Sequence, residues 1–148
     1  MAAIVLIGAA GCSKSPTPGG SAATTTAAGP TLPFEGSPSE AVLAEAAGLT
    51  FPTTINGYRS VRVATNELDV SFTIPATDLD AFITGSHLGT LVANKKIINH
   101  PSPVWDLQTT GSVQSVVSNR RGIERGIEVV ASASDPTTDT IRLVVTKN

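Results

Sequence analysis

Few residues of this chain belong to the types that usually carry catalysis or bind metal. Its 148 residues include two histidines, His87 and His100, and one cysteine, Cys12. A zinc site needs three or four ligands, and neither histidine stands in an HxH, HExxH or HxxE pattern. The sequence motifs of a nucleophilic serine, a phosphate-binding loop and a dinucleotide site are also missing. We therefore predict no metal, no cofactor and no enzymatic activity; the alternative is an exported enzyme that uses His87 or His100.

One aromatic residue suits recognition better than catalysis. Trp105 follows Pro101 and Pro103 near the end of residues 89–105, a stretch with no regular apolar pattern. Connections of this length without secondary structure are often functional. An exposed Trp105 is a candidate for partner binding, whereas a buried Trp105 would close one end of a sheet.

A group of arginines is the second candidate for partner binding. Arg120 and Arg121 precede Arg125, and residues 121–128 contain the sequence RGIE twice in succession. A strand with this pattern either presents its arginines to a partner or is simply solvated on its charged face. A repeat of this length is too short to indicate a repeat architecture.

Composition limits the classes of partner. Charged residues make up 15% of the chain, and the net charge is −2. Nucleic-acid binding needs a concentrated basic surface, so we predict no nucleic-acid partner. One cysteine cannot form an intramolecular disulfide, and no apolar run reaches the roughly 18 residues that span a bilayer.

The first residues indicate where the chain is held. Residues 2–10 form an apolar run, followed by Gly11 and Cys12. The sequence Ala9-Ala10-Gly11-Cys12 resembles the lipobox of bacterial lipoproteins. The resemblance implies a signal peptide at residues 1–11, acylation of the Cys12 thiol and cleavage before it. It also implies attachment to the outer face of the cell membrane. Because no basic residue precedes the run, we expect this signal to be truncated at its start.

Residues 12–36 have the composition of a linker. They are rich in Ser, Thr, Ala, Pro and Gly and nearly uncharged, which predicts a disordered spacer between anchor and domain. The globular domain is predicted at residues 37–148. Its first element is a helix at residues 38–47, with a capping box formed by Ser37 and Glu40 and a terminating Gly48.

Apolar alternation predicts the rest of the domain. Residues 58–64 and 68–74 alternate with period two and predict a hairpin, and residues 79–83 predict a short helix with one apolar face. Three further strands are predicted at residues 112–118, 123–131 and 140–146. The expected fold is therefore α+β: one antiparallel sheet of about five strands, with one helix on its apolar face and a short N-terminal helix beside it.

These features together predict a membrane-anchored, exported lipoprotein. Its domain is expected to be a non-enzymatic binding or accessory module. The expected partners are the lipid bilayer, through acylated Cys12, and an envelope protein, through Trp105 or the three arginines. A carrier of a small ligand is the remaining alternative.

Overall fold

A computed structural model describes residues 31–108 and 111–148. The predicted signal peptide, Cys12 and most of the predicted linker lie outside these residues. The described chain folds into one open antiparallel sheet with two helices, which confirms the α+β class. No described helix combines the length and the apolar character needed to cross a membrane.

The sheet has six strands where the sequence predicted about five. The elements are α1 (Glu40–Ala47), β1 (Asn56–Ala64), β2 (Glu67–Pro75), a 3-10 turn (Ala76–Asp78), α2 (Leu79–Gly85), β3 (Val92–Ala93), β4 (Val113–Arg120), β5 (Ile123–Ala131) and β6 (Thr138–Lys147). The strand order is β1-β2-β6-β5-β4-β3, so the last strand of the chain pairs with the first hairpin in the middle of the sheet. The additional strand, β3, has two residues, which is too short to produce an alternation pattern.

One side of the sheet, which we call the helix side, carries the main core. Apolar residues at every second position of β2, β5 and β6 point to it, and both helices pack there with Phe82, Ile83 and Leu43. Phe51, Tyr58, Phe72 and Phe82 form an aromatic group on this side, with ring centroids 5.2–6.4 Å apart. Burying each such side chain contributes about 1.5–3 kcal/mol. The predicted packing of the second helix on the hairpin is confirmed.

The packed domain begins earlier than predicted. Leu32 and Phe34 are buried in the main core, although both fall within the predicted linker at residues 12–36. The Leu32 amide donates to the Thr65 carbonyl at 3.3 Å, which fixes this end of the chain beside the first hairpin. Apolar residues separated by a proline do not show a period, so composition alone assigned them to the linker.

The first helix starts two residues later than its capping pattern indicated. Its N-cap is Ser39, whose side chain makes no capping hydrogen bond, and Ser37 lies outside the helix. The other end is as predicted: Gly48 has φ 62° and ψ 47°, the left-handed conformation that glycine adopts without steric cost.

The opposite side of the sheet, which we call the loop side, is covered by an irregular stretch. Residues 94–108, the covering segment, contain only one isolated bridge, between Ser102 and Trp105. Ile98, Val104 and Trp105 form a second, smaller apolar cluster between this segment and the sheet. The predicted irregularity of residues 89–105 is thus confirmed apart from β3.

Candidate functional site

The covering segment lies over a row of polar side chains. Neighbouring strands place five polar residues side by side across the loop side of the sheet: Arg59, Ser71, Arg142, Glu128 and Ser115. Three of them are charged and bond the backbone of the covering segment. The backbone N–H and C=O groups of a segment without secondary structure still need hydrogen-bond partners. Here these side chains provide them, as a neighbouring strand would within a sheet.

Glu128 forms the central attachment. Its side chain is fully buried, and one carboxylate oxygen accepts the backbone N–H of Ile97 at 2.6 Å and of Ile98 at 2.8 Å. The other oxygen lies 3.7 Å from Nη1 of Arg142. Charge-assisted hydrogen bonds of this kind each contribute about 1.5–3 kcal/mol.

Two arginines hold the second half of the covering segment. Arg142 donates from Nη2 to the Asp106 carbonyl at 2.5 Å, and Arg59 donates from Nη2 to the Val104 carbonyl at 2.6 Å. The segment is therefore bonded to the sheet near both of its ends, at Ile97 and at Asp106. Its backbone is fixed although it has no repeating structure.

The covering segment brings His100 to two carboxylates of β2. The Nε2 atom of His100 lies 3.1 and 3.2 Å from the two oxygens of Asp69, and 3.9 Å from Oε1 of Glu67. Asp69 is fully buried, whereas the side chains of His100 and Glu67 are 35% and 32% exposed. The three residues, which we call the His100 cluster, place their ligand atoms within 4.8 Å of one another.

Trp105 fixes the position of His100. Its indole Nε1 donates to the His100 carbonyl at 3.2 Å, and the two ring centroids lie 5.7 Å apart. Trp105 itself is only 8% exposed. Of the two roles considered from the sequence, the indole thus belongs mainly to the interior of the loop side.

Two pockets adjoin this arrangement. A pocket of about 200 Å³ borders Glu67 and His100 and is further lined by Ile97, Ile98, Val117, Glu124, Gly126, Val144 and Thr146. A shallow groove of about 490 Å³ lies on the other side of Trp105. Its remaining lining residues are Arg59, Pro101, Pro103, Asp106 and Leu107.

Arg125 is not part of an exposed arginine surface. It is 1% exposed on the helix side, where its guanidinium donates to four backbone carbonyls, those of Ala47, Gly48, Ser86 and His87. These carbonyls end α1 and α2, and helix C-termini need donors because their last carbonyls have no partner within the helix. Burial, with the nearby charge of Arg120, lowers the pKa of Arg125.

The other two arginines also differ from the predicted surface. Arg120 is half-buried and donates to the Gly48 carbonyl at 3.3 Å, so it assists Arg125 at the end of α1. Arg121 is exposed in the turn between β4 and β5, with φ 54°. Of the three arginines chosen from the sequence, only Arg121 therefore remains fully available to a partner.

The two histidines lie on opposite sides of the sheet. His87 follows α2 on the helix side, where its carbonyl accepts from Arg125, and His100 lies on the loop side beside Asp69. The two imidazoles consequently do not share a pocket, so an enzyme of the kind considered from the sequence would have to use one of them without the other.

The structure adds Glu67, Asp69 and Glu128 to the residues chosen from the sequence. Asp69 alternates with Leu68 and Val70, so the pattern assigned it only to the outward face of the strand, and Glu67 fell in the turn between the two predicted strands. Their contact with His100 spans about thirty residues of sequence, and no local spacing indicates it. Comparison of the chain with protein-family models, curated proteins and solved structures finds no match.

Proposed function

We propose that this chain is an exported, lipid-anchored protein whose domain is a non-enzymatic binding module of the cell envelope. The lipobox-like sequence before Cys12 supports the anchor. The observation that supports the binding role is the groove beside Trp105. Most of its lining residues belong to the covering segment, whose backbone is held by hydrogen bonds to Arg59, Arg142 and Glu128. A surface that is already fixed loses little conformational entropy on binding.

The groove suits an extended protein segment. Pro101 and Pro103 are exposed and rigid, the edge of Trp105 adds an aromatic wall, and Arg59 and Asp106 supply one charge of each sign. Aromatic-lined grooves recognise proline-rich peptides in the polyproline conformation. We therefore favour a segment of an envelope protein as the ligand.

The described residues give the enzymatic alternative no specific support. Within residues 32–108 and 111–148, neither histidine ring forms a hydrogen bond with a serine, threonine or cysteine side chain. A nucleophile activated by a histidine needs that contact. A small-ligand carrier is less well supported. Ligand pockets usually measure about 300–1,000 Å³ and enclose most of the ligand, whereas the pocket beside His100 measures about 200 Å³ and the groove of about 490 Å³ beside Trp105 is shallow.

The anchor is tested by fractionating the native host. We expect the full chain in the membrane fraction, with a fatty-acid label on Cys12, and we expect Cys12→Ser to release it from that fraction. An unlabelled chain whose localisation is unchanged by Cys12→Ser would contradict the proposal.

The groove is tested by cross-linking the full chain in its native envelope. Asp106→Lys and Arg59→Glu each reverse one charge of the groove, and we expect each to abolish the cross-linked partner. The melting temperature should be unchanged in Asp106→Lys and lower in Arg59→Glu, because Arg59 also donates to the Val104 carbonyl. Arg121→Glu is the matched control, because it reverses an exposed charge outside the groove. If Arg121→Glu loses the partner while both groove variants retain it, the partner binds at the turn between β4 and β5 and not in the groove.

A further inference from the structure

We propose that Glu67, Asp69 and His100 form a Zn²⁺ site on the loop side of the sheet. This inference goes beyond the proposed anchor and partner binding and depends on neither. It starts from the geometry around one atom, Nε2 of His100, which faces carboxylate oxygens of both acidic residues.

The distances fit shared coordination. Zn²⁺ binds histidine nitrogen and carboxylate oxygen at about 2.0–2.2 Å in tetrahedral geometry, so two of its ligand atoms lie about 3.3 Å apart. Nε2 of His100 lies 3.1 Å from Asp69 and 3.9 Å from Glu67, on either side of that value. Without a metal, a hydrogen bond from His100 explains the contact with Asp69 and an ion pair with His100 explains the position of Glu67. Metal titration distinguishes this arrangement from shared coordination.

The burial of Asp69 is a second observation. This carboxylate is fully buried in β2, and among the described residues its ion-pair partner is His100, another of the three proposed ligands, rather than a lysine or an arginine. Buried charges in proteins are normally paired or coordinate a metal. A divalent cation at this position would balance the charges of Asp69 and Glu67 together.

The ligands are held before any metal binds. Asp69 lies in β2, which is paired on both sides, and it is opposite Val61 on β1 and Val144 on β6. His100 is fixed through its carbonyl by the Trp105 indole. Supporting contacts of this kind orient metal ligands and raise metal affinity.

The donor set selects the metal. Imidazole nitrogen favours zinc and its neighbours in the first transition series, whereas calcium and magnesium prefer sites made of oxygen alone. Three protein ligands leave the fourth position of a tetrahedral ion open, and the pocket of about 200 Å³ bordering His100 and Glu67 has room for a water molecule there.

The experiment is calorimetric titration of the chelator-treated full chain with ZnCl₂. All proteins carry Cys12→Ser, so that the free thiol cannot bind the metal. We expect one Zn²⁺ per chain, and more than about tenfold weaker binding in His100→Ala and in Glu67→Gln, since even outer-shell partners contribute this much. Both residues are partly exposed, so these variants are expected to fold even if Asp69→Asn does not.

Two matched controls complete the test. His87→Ala removes the other histidine, and Glu124→Gln changes a carboxylate that lines the same pocket but lies outside the His100 cluster. Both are expected to bind Zn²⁺ as the parent does. The proposal is overturned if no stoichiometric binding occurs at micromolar Zn²⁺, or if binding survives in His100→Ala. It is also overturned if either control loses Zn²⁺ binding, or if the chain prefers Ca²⁺ or Mg²⁺ to Zn²⁺.

Discussion

The two sides of the sheet are built by different forces. On the helix side, alternating apolar residues of β2, β5 and β6 pack against two helices and an aromatic group. On the loop side, the same strands present a polar row, and the chain above them is attached by directed bonds from Glu128, Arg59 and Arg142. Apolar burial is non-directional and cumulative, whereas a few hydrogen bonds are specific and individually replaceable.

This difference separates folding from recognition within one small domain. The helix side holds the sheet together, so its residues are constrained by packing. The covering segment is attached to the sheet mainly through side chains. We therefore expect that its residues can be changed while the strands stay in place. Surfaces for binding are commonly carried in this way, on loops positioned by a rigid scaffold.

The largest predicted effect is on the helix side. Phe72→Ala removes a side chain that is 1% exposed and contacts three other aromatic rings. We expect it to lower the free energy of unfolding by about 3–5 kcal/mol. Urea unfolding followed by circular dichroism measures this loss; a loss below about 1 kcal/mol would contradict the assignment of the main core.

Arg125 is a charged residue buried among the apolar residues of the helix side. Arg125→Met tests how much its guanidinium contributes to stability. The variant keeps much of the side-chain volume but leaves the carbonyls that end α1 and α2 without their donor. We expect a loss of about 2–4 kcal/mol in the free energy of unfolding, because buried unsatisfied groups each cost about 1–3 kcal/mol. Arg121→Met, at an exposed turn, is the control and is expected to change stability by less than about 0.5 kcal/mol.

Ile98→Ala measures how much the apolar cluster of the loop side contributes to stability. Ile98 is as buried as many residues of the main core, at 3% exposure, but its cluster has only two other buried members. Because the covering segment can open without unfolding the sheet, we expect a loss of only about 1–2 kcal/mol in global unfolding. Equal losses for Ile98→Ala and Phe72→Ala would show that the two sides fold as one unit.

The smallest predicted effect concerns Asp139 at the start of β6. Burial raises the pKa of this carboxyl, so the folded state favours its neutral form. Its contribution to stability is therefore present at acidic pH and is lost as the pH rises through the raised folded-state pKa. Asp139→Asn removes this loss, and we expect a Tm on the order of 1–3 °C higher at pH 7 and no gain below pH 3.5. A gain that is equal at both pH values would contradict the electrostatic explanation.

The fold was largely predictable because its strands carry strict alternation. The pattern of β2, with Leu68, Val70, Phe72 and Ile74, predicted both the strand and its buried face. The same rule places Arg125 between Ile123 and Ile127 on the helix side, so the signal for its burial was present. Its charge was instead taken to indicate a solvated position, because the need of two helix ends for a donor cannot be read locally.

The site was less predictable because its contacts are remote in sequence. Glu128 bonds residues about thirty positions earlier, and His100 meets Asp69 over a similar separation. Neither separation follows a helical or strand period. The irregular residues 89–105 were correctly identified as unusual, but the sequence could not show which strand would hold them or which carboxylates they would reach.

The buried carboxylate of Glu128 attaches the first half of the covering segment to the sheet through the amides of Ile97 and Ile98. Amide hydrogen exchange of these two residues, in the parent chain and in Glu128→Gln, measures the strength of this attachment. Replacing charge-assisted bonds with neutral ones should weaken it by about 1.4 kcal/mol, which corresponds to about tenfold faster exchange. We predict this acceleration at both amides, with unchanged exchange in the centre of β2. Unchanged exchange at Ile97 and Ile98 would show that Glu128 does not hold the segment, and equal acceleration throughout β2 would show that the segment and the sheet open together.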